Sequence, residues 1–523
     1  MTQATESPAN PRADRSPHDA GWAALAGILA GAAGLALAEL VAALVAPAAS
    51  TLFAGGAAVV DAVPPWLKDF AVQAFGTNDK AVLLASMGVV LAAGAALAGW
   101  LELRRPPVGA LLIAAVGAVG AMVAVLRPEA TPLWALPSII GIGGAVILLR
   151  MAIARLRPAA DLRRQEGTTV DRRGFLAVTG VAAGVAVLAL VSSRVVSAGA
   201  AAVNVVREKI RLPAARKAAD PVPAGADLEL DGLTPYITPN PEFYRIDTAL
   251  RVPQLDPADW SLEVHGMVDE PFTITWDELL ALPLEEHHVT LACVSNSVGG
   301  DLIGNALWLG YPIRSLLERA KPQPGADMVL SVSDDGFTAG TPLEVLQDPD
   351  RASLLAIGMN GEALPVDHGF PARLVVPGLY GYVSATKWVT SLKVTTFEAD
   401  QGYWTPRGWS ALGPIKLQSR IDVPRGSAAP GAVTVAGVAW AQHTGIAEVE
   451  VRADDGDWVP AELAETVGPD TWRQWRASID LDAGDHTLAV RATDADGLVQ
   501  TEAEAPPAPD GATGWHTVQV SVG

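Results

Sequence analysis

The sequence predicts a multidomain protein: a five-helix α transmembrane region, then an α+β domain, then a C-terminal β-sandwich. Three observations predict it. Five long apolar stretches fall within the first 200 of 523 residues. Charge divides along the chain: residues 1–200 hold 15 Lys+Arg against 12 Asp+Glu, and residues 201–523 hold 22 against 45. The last hundred residues alternate apolar and polar side chains between Asp/Gly turns, the period of strands.

The apolar stretches lie near 21–46, 81–100, 108–126, 132–149 and 175–198. Each approaches the roughly 20 residues needed to cross a hydrocarbon core. Ala and Gly dominate them, which suits close helix packing. Glu39 is the single charge in the first stretch. The segment 50–79, with Pro64-Pro65-Trp66, reads as lying at the outer interface. Eleven arginines sit on one side of this arrangement against Lys68, Lys80 and Arg127 on the other. The positive side faces the cytoplasm. That makes residues 1–20 a cytoplasmic tail and puts everything after the fifth span outside. The expected location is the bacterial cell membrane, multi-pass, in contact with lipid.

The fifth span has a preface, Thr169-Val170-Asp171-Arg172-Arg173-Gly174-Phe175-Leu176. It resembles a twin-arginine export signal, which carries folded proteins. An arginine pair also serves ordinary positive-inside flanking. Between His18 and His265 there is no histidine. No span can therefore supply a bis-histidine haem, and no haem is expected.

Residues 199–235, rich in Ala, Pro and charge, read as a linker. From 236 to 412 short strands and helices mix. Trp260–Gly266, Arg373–Val376 and Trp388–Thr395 alternate as strands, and Trp276–Leu282 and Ile313–Arg319 read as short helices. Residues 413–523 hold spaced strands at Val433–Val438, Ile446–Arg452, Trp475–Ile479, His486–Arg491 and Trp515–Val520. That spacing is immunoglobulin-like. The acidic outer half argues against nucleic-acid binding, because phosphate backbones reward Lys and Arg. The single cysteine, Cys293, excludes an internal disulfide framework, a CxxC pair and a multi-cysteine zinc site. It leaves an inert core thiol, a nucleophile or a ligand to a soft metal.

Several motifs then recur in one order: Thr238-Pro239-Asn240-Pro241-Glu242-Phe243-Tyr244, Leu291-Ala292-Cys293-Val294-Ser295-Asn296, Ile303-Gly304-Asn305, Met359-Asn360-Gly361, Asp367-His368-Gly369-Phe370-Pro371-Ala372-Arg373, and Thr386-Lys387-Trp388. Over roughly 236–523 the chain resembles the sulfite oxidase family of molybdopterin-dependent oxidoreductases, in a membrane-anchored bacterial branch. The resemblance implies a sulfite-oxidase-type molybdopterin domain and a molybdenum–molybdopterin cofactor. It implies that Cys293 is the thiolate on the metal. Molybdenum accepts a soft, deprotonated sulfur beside oxo groups. His368, Arg373 and Lys387 match the family's phosphate-side positions. Tyr244, Arg245 and the main chain of Ala385 and Thr386 are implied contacts. Asp334 is the candidate for a pterin nitrogen, with Asp335 nearly as good a match. The C-terminal sandwich resembles the family's dimerisation domain, which leaves a homodimer open.

Departures bear on substrate. The sulfite branch opens Phe-(Phe/Tyr)-Val-Arg, whereas this chain has Phe243-Tyr244-Arg245-Ile246. A polar residue directly after the tyrosine resembles the methionine-sulfoxide-reductase branch. Two arginines that follow the cysteine in the sulfite branch are Ser297 and Val298 here. The active-site tyrosine of the family, two places after an arginine, becomes Trp409 after Arg407. Arg407 and Trp409 are thus catalytic candidates, against a packing cluster with Trp404. Fewer cations predict a larger, less anionic substrate, a small-molecule or protein-borne S-oxide or similar group. A separate protein would donate or accept electrons. Sulfite oxidation is the alternative enzyme. A non-catalytic outer binding domain is the alternative class, and a transporter is disfavoured because the spans lack paired polar residues.

Overall fold

The computed structural model describes residues 17–45, 49–63, 67, 79–127, 130–162, 180, 184, 203–250 and 252–523. The chain divides into two compact units, Met1–Ala200 and Ala201–Gly523.

The described part of the first unit is helical: α1 (Pro17–Val45), α2 (Thr51–Ala62), α3 (Asp79–Arg104), α4 (Val108–Val125) and α5 (Leu136–Leu162). All but α2 are long and apolar enough to cross a membrane. Four expected spans are therefore helices. The fifth, 175–198, and the arginine-pair motif at 169–176 lie outside the described residues except for positions 180 and 184. Small side chains set the packing: Ala23, Ala26 and Ala30 of α1 are buried with Leu103, Leu149 and Ile153. Carboxylates here serve backbone ends. Glu39 accepts from Ser50 Oγ (2.8 Å) and from the Leu52 N–H (3.2 Å) at the start of α2. Glu102 accepts from the Ala110 N–H (3.0 Å) and lies 3.7 Å from Arg150. Both satisfy donors that a helix N-terminus leaves open.

The second unit is built from four sheets. The first runs β3 (Glu285–Ala292), β4 (Ile303–Pro312), β7 (Leu354–Met359) and β8 (Glu362–Ala363), with β9 (Arg373–Val375) also on β7. The second runs β2 (Phe272–Thr275), β1 (Ser261–Gly266), β10 (Val389–Thr395), β5 (Met328–Ser333) and β6 (Thr338–Pro342). β1 and β10 are parallel. Short helices α6 (Trp276–Leu280), α7 (Ile313–Ala320) and α8 (Leu343–Gln347) join these strands. A reciprocal cap between Thr275 and Glu278 starts α6. This is the α+β mixture the sequence predicts, with the strands and helices at the predicted places.

The C-terminal sheets are β11 (Gln418–Val423), β13 (Gly431–Trp440), β17 (Arg473–Leu481) and β16 (Glu462–Leu463), and β12 (Gly426–Ala428), β19 (His516–Val522), β18 (Gly484–Asp494), β14 (Ile446–Ala453) and β15 (Val459–Pro460). Val435, Trp475 and Ile479 meet Val449, Leu488 and Val520 in a shared apolar core. Each expected strand of this region is present.

The described part of the expected linker is held to the body of this unit instead. The Arg216 N–H donates to Leu284 O (2.8 Å), the Glu286 N–H donates to Lys217 O (2.8 Å), and Ala226 is fully buried. The Leu228 N–H reaches Gln474 Oε1 (2.7 Å). Composition suggested a stalk, but backbone groups carry this attachment and composition does not register them.

The α+β region and the C-terminal sheets interlock. Trp472 donates its indole N–H to Tyr236 O (2.9 Å) and its backbone N–H to Thr290 Oγ1 (2.8 Å). Asn305 Nδ2 donates to the same Tyr236 carbonyl (2.9 Å). Trp440 and Trp472 pack in one cluster with Leu355, Leu374 and Val376.

Candidate active site

The site begins where β3 ends. Cys293 follows that strand, and its N–H donates to Leu302 O (2.9 Å), turning the chain back toward β4. Asn296 closes the loop: its N–H donates to Cys293 O (3.1 Å) and its Oδ1 accepts from the Leu302 N–H (2.9 Å). The thiol is buried, and burial pushes it up from its ordinary range while hydrogen bonds from Ser295 oppose the rise. A soft cation replacing the proton would reverse that balance.

Phe243 and Tyr244 cross the same pocket. Phe243 stacks on Tyr244 (centroids 5.2 Å apart) and meets Trp308 and His368 edge-on at 5.8 and 5.6 Å. Gly304 makes this possible, since a Cβ there would lie 2.7 Å from the Phe243 ring. Burial, followed by the nearby Cys293 sulfur, raises the Tyr244 phenol well above its usual range. It remains a hydrogen-bond donor.

Opposite stands a buried cationic group. His368 ends a 3₁₀ turn (Val366–His368), and its Nε2 faces Asn240 O at 3.2 Å. Burial, then Arg373 and Lys387, lowers its pKa to about 4, so the ring is neutral. Arg373 opens β9, donates Nη1 to His368 O (3.1 Å) and lies 5.1 Å over the Trp308 ring. Burial lowers it to about 10, still charged at neutral pH. Lys387 donates to Asp247 Oδ2 (2.7 Å) and Asp367 O (3.0 Å). Gly369, at φ +111°, lets these two cations approach: a Cβ would sit 2.9 Å from Arg373 Cβ and 3.1 Å from Lys387 Cβ.

One pocket, enclosing about 900 Å³ with part of it open to solvent, is lined by Tyr244, Cys293, His368, Arg373, Ala385, Lys387 and Trp409. These seven sequence candidates are brought together. Four others are placed elsewhere. Arg245 binds Asp247 (3.1 Å) and Asp367 (3.4 Å) just outside the lining. Asp335 lines the pocket, whereas the Asp334 N–H is spent on Trp388 O (2.9 Å). Thr386 is fully buried with its hydroxyl on Ser331 Oγ (2.7 Å). Arg407 stacks 3.8 Å over Tyr403 and donates to its carbonyl (2.6 Å). Trp409 is buried against Tyr382 (5.8 Å) and Trp404 (6.0 Å), so the packing-cluster reading and the pocket reading both hold for it. Sequence reasoning missed Asp247, Ser333, Phe337 and Tyr382 on the lining. Ser333 ends β5 and Phe337 lies in the turn before β6, with no motif to mark either.

A buried soft thiol and buried cations line one cavity, a donor set that suits a soft metal on an anionic organic carrier. Residues 249–404 match the family described as oxidoreductase molybdopterin binding domain. The chain is 31% identical over 323 residues to the mitochondrial sulfite oxidase of Homo sapiens, covering 52% of this chain and 58% of that one. It is 30% identical over 326 residues to the Drosophila melanogaster sulfite oxidase, covering 51% and 56%. It is 32% identical over 194 residues to the NADH nitrate reductase of Solanum lycopersicum, covering 32% and 21%. Among solved structures it is similar to the sulfane dehydrogenase SoxCD from Paracoccus pantotrophus, at 24% identity and TM-score 0.48, over 56% of this chain and 82% of that one. The chain spans a little over half the length of the sulfite oxidases it matches. It is an oxidoreductase with a molybdopterin-binding domain, and it is similar to sulfite oxidases and to a nitrate reductase.

The match and these relatives imply a molybdenum–molybdopterin cofactor. The residues fit it. Cys293 offers one soft donor, Arg373 and Lys387 offer fixed cations, and Ser333 Oγ is buried on the lining with no hydrogen-bond partner. An unpaired buried hydroxyl costs stability unless a bound group satisfies it.

Proposed function

We propose that this protein is a membrane-anchored oxidoreductase whose catalytic half faces outward and transfers an oxygen atom, reducing an S-oxide or a similar neutral group. One observation carries the substrate reading. Every cationic or histidine side chain on the pocket lining belongs to the 368–387 segment, and the rest of the lining is largely aromatic, apolar and hydroxyl-bearing. An oxyanion such as sulfite asks for cations beside the metal. A sulfoxide asks for shape and one or two donors.

When bound, the molybdenum cofactor supplies the two-electron oxygen-atom chemistry. Cys293 would hold the metal, and Arg373, Lys387 and His368 the anionic end. Tyr244, kept protonated, offers a donor between them. Trp409 meets Trp404 edge-on and lies tilted against Tyr382, whose hydroxyl donates to Ser410 O (2.9 Å), and this fixed wall excludes water and sets the pocket's width. Arg407 would act through Tyr403, as a brace for that wall.

The long apolar helices support membrane anchoring. The loop arginines and the arginine-pair motif support an outward-facing catalytic half exported as a folded protein. Two sheets sharing one core support an immunoglobulin-like sandwich, and the family resemblance supports a homodimer through it. A separate electron carrier completes the cycle. The test is detergent-purified, molybdenum-loaded protein with a reduced dye and a panel of S-oxides and N-oxides. Turnover of sulfite with an oxidised dye, and none of the oxides, would replace this reading with sulfite oxidation. The curated relatives named sulfite oxidases favour that second reading.

A further inference from the structure

Asp247 is the one carboxylate among the cations of this pocket that is itself buried, 4% exposed at the side chain. Its Oδ2 receives two of them at once, Lys387 Nζ at 2.7 Å and Arg245 Nε at 3.1 Å. Arg245 stands two residues from Asp247 and Lys387 140 residues from it, and Asp247 lies on the pocket lining with Lys387. No motif in the sequence marks it.

The donor count explains the arrangement. An ammonium has three donors. Lys387 spends one on Asp247 and one on Asp367 O, leaving one. Arg245 spends Nε on Asp247 and points Nη1 at Asp367 Oδ1 (3.4 Å). Arg373 is tied to His368 O and Leu374 O. Three cations against the buried carboxylate of Asp247 and the exposed one of Asp367 leave the group net positive, the sign a phosphate requires. A long flexible lysine in an apolar wall beside Trp388 (4.6 Å) would otherwise have neither a fixed direction nor a reason to stay protonated.

We propose that Asp247 is a positioning residue for the cofactor's anionic end: it holds Lys387 in place and keeps it charged toward a bound phosphate, with Arg245 bracing Asp247 from outside the lining. This rests on assigning the phosphate side of the cofactor to His368, Arg373 and Lys387. The groups facing Lys387 are Asp247 and Arg245 from one segment, Asp367 and His368 from the 3₁₀ turn, and Arg373 from β9. Burial lowers Lys387 to about 8, and of these groups the carboxylate of Asp247 opposes that fall most.

The experiment uses the full chain from a host unable to make the cofactor, with sulfate as probe because sulfate keeps both charges throughout a lysine's titration. Calorimetry follows sulfate affinity against pH for wild type, Asp247→Asn, Arg373→Ala, and Asp247→Asn combined with Lys387→Arg. Wild-type affinity should fall as pH rises through the Lys387 titration. Asp247→Asn should move that fall to lower pH and weaken binding about tenfold at the wild-type midpoint. The double variant should bind without the lysine-linked fall, since arginine stays protonated. Retained pterin in the cofactor-loaded Asp247→Asn protein should drop in parallel. An unchanged midpoint, or tighter sulfate binding by Asp247→Asn at every pH, would overturn the role of Asp247 and leave the phosphate assignment standing. Sulfate binding undiminished by Arg373→Ala, or absent from wild type, would overturn that assignment and the proposal with it.

Discussion

Arg420, on the first C-terminal strand, donates Nη1 to the carbonyl of Gly300 at 2.8 Å, inside the loop that carries Cys293. The same guanidinium binds Asp422 (2.7 Å) and Thr234 Oγ1 (2.9 Å). His516 supports it from the last strand, accepting the Ile421 N–H at Nδ1 (2.9 Å). The sheets beyond residue 413 therefore hold the far side of the cysteine loop.

Arg420→Ala is expected to loosen that loop. A charge-assisted bond to a buried carbonyl contributes roughly 1.5–3 kcal/mol. The cofactor-free variant should show faster modification of Cys293 by a thiol reagent and a lower Tm. Arg420→Lys should recover little, because one ammonium cannot reach three acceptors in a planar fork. Equal thiol rates in wild type and Arg420→Ala would remove the brace.

Cys293→Ser is expected to fold, since the side chains are nearly isosteric and the loop is closed by backbone bonds and Asn296. Molybdenum per chain, or its spectroscopic environment, should change because a hard hydroxyl replaces a soft thiolate. Metal analysis beside a melting curve checks both halves.

Gly369→Ala should cost more than about 1 kcal/mol, because the backbone sits at positive φ and the new methyl meets two side chains. The separation of Arg373 from Lys387 should grow, so the variant should retain less pterin than its loss of stability alone explains. Pterin content measured well below Tm separates the two effects.

His368 makes stability depend on acid. Its folded pKa is about 4 against an ordinary 6.5, so between those values the unfolded chain binds more protons. The stability it contributes is complete above about pH 6.5 and is lost as pH falls through 4, a change of about 3 kcal/mol. Denaturant titrations of cofactor-free protein should show this slope in wild type and a flatter one in His368→Gln.

Much of the site was legible because its parts are contiguous. Cys293 is alone of its kind, and Asp367–Arg373 packs a turn, two site residues and a required glycine into seven places. Position relative to Arg407 also found Trp409. What stayed hidden depends on distant chain. Asp247 matters only because Lys387, far along the sequence, folds onto it, and short spacing cannot report that. Spacing also could not report that Arg407 bonds the Tyr403 carbonyl, or that the Thr386 hydroxyl bonds Ser331 and leaves only its main chain as the candidate contact. Strands and helices of the α+β region were legible from period. The attachment of residues 210–235 was not, because backbone bonds leave no trace in side-chain pattern.

The shared carbonyl of Tyr236, bound by Trp472 from one side and Asn305 from the other, has a practical meaning for anyone editing this chain. Residue 413 marks a change of architecture but offers no place to cut. A truncation there would strip an indole from an apolar core, leave Tyr236 O to Asn305 alone and take the Trp472 N–H from Thr290 Oγ1, and a graft of another sandwich would need to reproduce both Trp472 bonds. The two regions are best treated as one design unit, to be exchanged together or not at all.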